Sequence, residues 1–129
     1  SWRHGDRTPT KTFPTDPMKE SDWTLGEGGY GVLTPTGMEQ QYELGRVLRR
    51  RYIDSGFLSR RYDGKQASIY SFPFSRMLTS ATANVIGMYS DEEMTGVSFP
   101  DIDSWPRGVQ AIPIRSVQSS WKEEIGECA

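Results

Sequence analysis

The chain has 129 residues, room for one domain with a core and too few for two. An apolar fraction of 35% and a mean hydropathy of -0.63 describe a polar chain in which no apolar run approaches the ~18 residues of a membrane span. Fifteen basic against seventeen acidic residues leave a formal charge of -2, which argues against a dedicated nucleic-acid binder, for which a strongly basic domain is expected.

The first stretch with chemistry in it is Arg3-His4-Gly5-Asp6-Arg7-Thr8-Pro9. His4 is the one histidine of the chain, and no other side chain titrates unperturbed near neutral pH. Arg3 and Arg7 flank it, each a permanently charged fork of donors suited to two oxygens of a phosphate or carboxylate. The pattern points to an anion held beside a nucleophile or proton carrier. The motif follows Ser1-Trp2 directly, so no leader peptide is read and an upstream segment is expected.

The rest of the first thirty residues reads as loop, with Pro9, Pro14 and Pro17 among interleaved threonines. Gly26-Glu27-Gly28-Gly29-Tyr30-Gly31 continues it. That run lacks the Gly-Lys-Ser/Thr ending of a phosphate loop and reads as a connection permitting tight turns. A helix then starts between 34 and 36, where Thr34-Pro35 and Thr36-x-x-Glu39 offer a cap, a first-turn proline and a capping box. Met38, Tyr42, Gly45, Leu48 and Tyr52 follow at helical spacing, with Leu44 and Val47 widening the expected buried face. Gly45 costs about 1 kcal/mol against alanine inside a helix, so close packing against a neighbour is expected there. Arg49-Arg50-Arg51 reads as a solvated helix end that complements the dipole.

After Asp54-Ser55-Gly56 a turn at Tyr62-Asp63-Gly64-Lys65 leads into a short strand, Ala67 to Phe72, which Pro73 ends. Ser75 is the expected cap of a second helix, Arg76 to about Tyr89, with Leu78, Ala81, Val85 and Met88 as its apolar stripe. A further short strand is expected at Ile112-Pro113-Ile114. Cys128 is the one cysteine and forms no internal disulfide, so the redox compartment stays open. If a strand ends at Arg3, the order is strand, loop, helix, strand, loop, helix. This is a βαβ arrangement of the α/β class, in which ligands collect beyond the carboxyl ends of parallel strands. Arg76 would then sit in the first turn of a helix, where free N–H groups also favour an anion. Three arginines and one histidine could meet around one phosphate-sized space, although spacing alone also fits a plain surface role for Arg76.

The heptapeptide resembles the Arg-His-Gly-x-Arg-x-Pro signature of the histidine acid phosphatases, a branch of the phosphoglycerate-mutase-like fold. The resemblance extends through Thr12-Phe13-Pro14-Thr15-Asp16-Pro17, Leu33-Thr34 with Gly37-Met38-Glu39-Gln40, Tyr42-Glu43-Leu44-Gly45, Arg51-Tyr52, Ser75-Arg76-x-Leu78-x-Ser80-Ala81 and Ile112-Pro113-Ile114. These segments look like those of the animal prostatic and lysosomal enzymes. The resemblance implies a partial, parallel-sheet, three-layer domain over 1–129, the amino-terminal half of a family member. It implies hydrolysis of small-molecule or protein phosphomonoesters through a phosphohistidine on His4. Arg3, Arg7 and Arg76 would bind the phosphate oxygens, with no metal or other cofactor. It also suggests a secreted or lysosomal protein, and a homodimer is the expectation for the full-length form. Two departures stand out. The family's downstream His-Asp pair, whose Asp protonates the leaving oxygen, has no counterpart here, and Tyr70-Ser71-Phe72 stands where these enzymes carry Arg-Ser-Thr. An anion-binding module without turnover is therefore the alternative reading. Half a parallel sheet would also leave an open edge, which predicts marginal folding or association.

Overall fold

A computed structural model describes residues 1–117; Cys128 lies outside them. Two helices and two short strands make up its regular structure: α1 (Pro35–Leu48), β1 (Ile69–Ser71), α2 (Ser75–Tyr89) and β2 (Ile114–Ser116). No helix among these residues is long and apolar enough to cross a membrane.

Helix α1 starts where the sequence places it. Thr34 is its N-cap, with its hydroxyl accepting from the Gly37 N–H at 3.1 Å and Pro35 in the first turn. The face it buries shares Gly45 with the expected stripe, and Leu48 and Tyr52 pack against the core, but it is rotated from the rest. Gly37, Gln41 and Gly45 are its buried residues, whereas Tyr42 and Val47 are 36% and 47% exposed. The cause is how near α2 comes. A Cβ placed on Gly45 would lie 2.1 Å from the Asn84 carbonyl oxygen, and one on Gly87 would lie 2.1 Å from the Tyr42 carbonyl oxygen. Each helix thus supplies a glycine where the other's backbone passes, as expected for Gly45. A seam this tight selects small side chains, so large apolar residues at helical spacing are turned aside from it. Gln41 meets Asn84, Gly45 meets Met88 and Arg49 meets Ser90, so the two helices run in the same direction.

The apolar core lies away from the seam, between α2, the sheet and the segments that flank them. Ile53, Met88 and Tyr89 form one cluster and Ile69, Ala81 and Val85 another, with Tyr62 and Ile112 packed against both. Ala81, Val85 and Met88 thus bury as the periodicity of α2 requires. Tyr62 meets Tyr89 edge-on at 5.4 Å.

Strands β1 and β2 pair in parallel, Ile69 opposite Ile114 and Ser71 opposite Ser116. The expected strand at 112–114 is displaced toward the C-terminus, because Pro113 has no N–H to give a ladder. The βαβ unit among the described residues is therefore β1-α2-β2. Residues 1–6 form no strand. The loop after them bonds to the segment before α1 instead, through Thr8 N–H to Val32 O, Thr34 N–H to Asp6 O and an antiparallel bridge between Arg7 and Leu33. Ser75 is not a cap either. Phe74 holds that position without a side-chain bond, and the Ser75 hydroxyl donates to Glu27 Oε2 at 2.5 Å.

At the C-terminal end of the helix pair, α1 passes into a π-helical turn, Arg49–Ile53. Arg49 is not solvated as expected. Its guanidinium turns inward to the end of α2, donating to Met88 O, Ser90 O and Asp91 Oδ2, with Asp54 Oδ1 at 3.4 Å. Arg60 adds two bonds to Asp91 and one to Glu93. Burial pushes the Asp91 carboxyl up, but hydrogen bonds from Arg60, Arg49 and the Glu93 N–H outweigh it and hold the pKa below its ordinary 3.8.

Candidate active site

The Arg3–Pro9 loop rests on the N-terminal ends of both helices, and backbone contacts fix it there. Gly5 lies so near α1 that a Cβ on it would sit 2.3 Å from the Gly37 carbonyl oxygen, and a Cβ on Gly37 would sit 2.2 Å from Asp6 O. Only glycine fits at both positions. The Gly5 N–H donates to Ser80 Oγ on α2 at 3.3 Å, and the Asp6 N–H to Gln40 Oε1 on α1 at 2.8 Å. From below, Gln41 Nε2 donates to the Arg3 carbonyl at 3.0 Å while Asn84 Nδ2 donates to the Gln41 carbonyl at 3.2 Å. A line of buried amides thus ties the loop to α1 and α1 to α2.

His4 is half-buried, with Nδ1 2.8 Å from the Gly5 carbonyl oxygen. A carbonyl only accepts, so Nδ1 carries the proton and the Nε2 lone pair is left for chemistry. Asp6, the acid nearest in sequence, is committed elsewhere: its Oδ2 accepts from the Thr34 hydroxyl at 2.7 Å. Thr8 is almost fully buried and bonds Gly29 O and the Val32 N–H through its hydroxyl. It joins the loop to the glycine-rich run, where Gly26, Gly28, Gly29 and Gly31 all have positive φ. That run makes tight turns, as read from the sequence.

Of the predicted cations, Arg3 is exposed and Arg7 half-buried, donating through Nη1 to Thr8 O at 2.9 Å. Arg76 stands in the first turn of α2, one turn before the Ser80 that holds Gly5. Its Nη1 lies 3.8 Å from where a Cβ on Gly31 would be, and the Gly31 N–H donates to Pro9 O at 2.8 Å. This brings Arg76 to the Pro9 end of the motif. Its Nε is shielded from solvent and has no acceptor. Such an orphan donor costs about 1–3 kcal/mol. Among the described residues no acidic side chain lies within ion-pair distance of Arg3, Arg7 or Arg76, and no cluster of three His, Cys, Asp or Glu could hold a metal.

Sequence reasoning passed over Thr8, Gln41 and Asn84, since it sought charge and reactivity. The signal available was the spacing Gly37, Gln41, Gly45, four residues apart, which marks a close helix face with a polar residue inside it. Tyr70 lies on β1 beside Arg115 of β2, whose guanidinium carbon is 6.0 Å from its ring.

Comparison with known proteins follows the same residues. The model of the histidine phosphatase superfamily, branch 2, matches residues 2–125. The chain is 42% identical over 113 residues to the lysosomal acid phosphatase of Homo sapiens, covering 88% of this chain and 25% of that one. It is 44% identical over 120 residues to the prostatic acid phosphatase of Homo sapiens, covering 92% and 28%. With the testicular acid phosphatase of Mus musculus it shares 43% over 113 residues, 88% of this chain and 25% of that one. The chain spans about a quarter of the length of these relatives.

Proposed function

The chain belongs to branch 2 of the histidine phosphatase superfamily, and from that premise we propose that it carries the nucleophilic part of an acid phosphatase. The observation that carries the reading is the His4 Nδ1 to Gly5 O hydrogen bond. It sets the tautomer in which Nε2 can attack phosphorus. In the first step a P–N bond forms, the ester P–O bond breaks and the alkoxide leaves with its electron pair. In the second, water attacks the phosphohistidine and returns the imidazole. Arg3, Arg7 and Arg76 bind the non-bridging oxygens, neutralising charge on the transferring group where such stabilisation counts most. The orphaned Nε of Arg76 supports its part in this.

The relatives' names, lysosomal and prostatic, support a lysosomal or secreted setting for the protein and phosphomonoesters as its substrates. In the complete fold α2 would be one helical layer over a longer parallel sheet, the three-layer arrangement of the superfamily, of which β1-α2-β2 is one unit.

The test is release of phosphate from an aryl phosphate. His4→Ala is expected to lower it by about 10³-fold or more; release unaffected by that substitution overturns the proposal. One observation favours a second reading, an anion-binding module that holds phosphate without turnover. Asp6, the nearest acid in sequence, is already bonded to Thr34, and loss of a proton donor costs about 10²–10⁴-fold. Vanadate binding with no phosphate release would select that reading.

A further inference from the structure

Phe74 is 51% exposed and packs into neither apolar cluster. Among the described residues its ring contact is with Arg76, whose guanidinium carbon lies over the ring, 5.1 Å from the centroid. We infer that Phe74 is a positioning residue: its ring holds the Arg76 guanidinium at the phosphate space without neutralising it. The inference rests on the reading of Arg76 as a phosphate ligand given above.

The argument is one of charge. An arginine side chain carries about 2 kcal/mol of rotamer entropy, so it must be fixed if it is to meet an oxyanion without delay. A carboxylate would fix it, as Asp91 fixes Arg49 at 2.9 Å, but it would also cancel the charge that attracts phosphate. A ring fixes the cation by its quadrupole and consumes no N–H donor. Glu27 accepts from the hydroxyl of Ser75, the residue before Arg76, and forms no ion pair with Arg76. Nη1 lies 3.8 Å from where a Cβ on Gly31 would be. The guanidinium therefore lies over a ring, with one nitrogen near a glycine turn and its Nε unpartnered.

The test measures binding of inorganic phosphate by calorimetry to this chain and to Phe74→Leu, Phe74→Trp, Arg76→Ala and the double variant Phe74→Leu/Arg76→Ala, with melting temperatures alongside. Phe74→Leu is expected to weaken binding about two- to five-fold at an unchanged melting temperature, and Phe74→Trp to keep it. In the Arg76→Ala background Phe74→Leu is expected to have no further effect, which a general structural role would not produce. Unchanged affinity in Phe74→Leu, or equal weakening in both backgrounds, overturns the inference while leaving Arg76 a ligand. Failure of Phe74→Trp to keep the affinity also overturns it. Arg76→Ala that binds phosphate as tightly as the parent, or a parent that binds none, overturns the underlying reading and the inference with it.

Discussion

Arg49 and Arg76 stand at opposite ends of the same helix pair and are held in opposite ways. Arg49, 12% exposed in its side chain, has two backbone carbonyls and two carboxylates around it. Arg76 has a ring on one side, a glycine turn near one nitrogen and no acceptor at Nε. Cost follows from the difference. A saturated cation contributes to folding and is closed to a ligand; an unsaturated one contributes little to folding and keeps its donors for whatever binds. The two helices run the same way, so their N-terminal ends, with their partial positive charge, lie at the unsaturated end under the His4 loop. The C-terminal carbonyls lie at the saturated one.

The largest effect tests whether the two ends share one rigid support. Gly45→Ala puts a Cβ against the backbone oxygen of Asn84, which cannot swing aside. Despite alanine's better helix propensity, a loss of about 3 kcal/mol is expected in urea unfolding; a gain of stability would mean that the seam opens freely. Next comes the direct comparison. Arg49→Met leaves Asp91, 4% exposed, with Arg60 as its remaining cation and is expected to cost about 2 kcal/mol. Arg76→Met, which removes the unpartnered Nε, is expected to lose no stability and to gain up to about 1 kcal/mol in the same denaturation. Equal losses would erase the distinction between the ends.

Smaller still is the contrast between the two helix starts. Thr34→Ala removes the cap to Gly37 and the bond to Asp6, so about 1 kcal/mol is expected to be lost. Ser75→Ala, which removes no cap, is expected within about 0.5 kcal/mol. Thermal melts of the two variants decide it. Acid gives the last effect. Since the folded Asp91 pKa lies below the ordinary 3.8, its ionised form contributes fully above that value, and the contribution fades as pH falls through the folded pKa. The gap in melting temperature between the parent and Asp91→Asn is therefore expected to be constant from neutral pH down to about 4 and to shrink below it. A gap that widens in acid would contradict the saturated end.

Much of the site was legible because its chemistry is local. The Arg3–Pro9 heptapeptide carries the proposed nucleophile and two cations within five positions, and Thr34-Pro35 states a helix start in two residues. The buried face of α1 was not legible in the same way. Periodicity selects Tyr42 and Val47 along with Gly45 because they are apolar, whereas the neighbour's distance, which no single helix encodes, keeps Gly45 and adds Gly37 and Gln41. The triplet at Arg49 misled for a similar reason: in sequence it is three like charges, and only Asp91, forty-two positions on, turns the first of them inward.

The sequence by itself determined the motif loop, the existence and span of both helices, the need for a close approach at Gly45 and the family. Each rests on residues adjacent in the chain or on a repeat of 3.6. The tertiary structure alone decided which face α1 buries, that the parallel pair is β1 and β2 across α2, and that residues 6–8 bond to the segment from Val32 to Thr34. It also decided which arginines are satisfied. Those outcomes depend on distances between segments brought together by folding, where a neighbour's backbone oxygen that leaves no room for a Cβ, or a carboxylate in reach, outweighs any local preference.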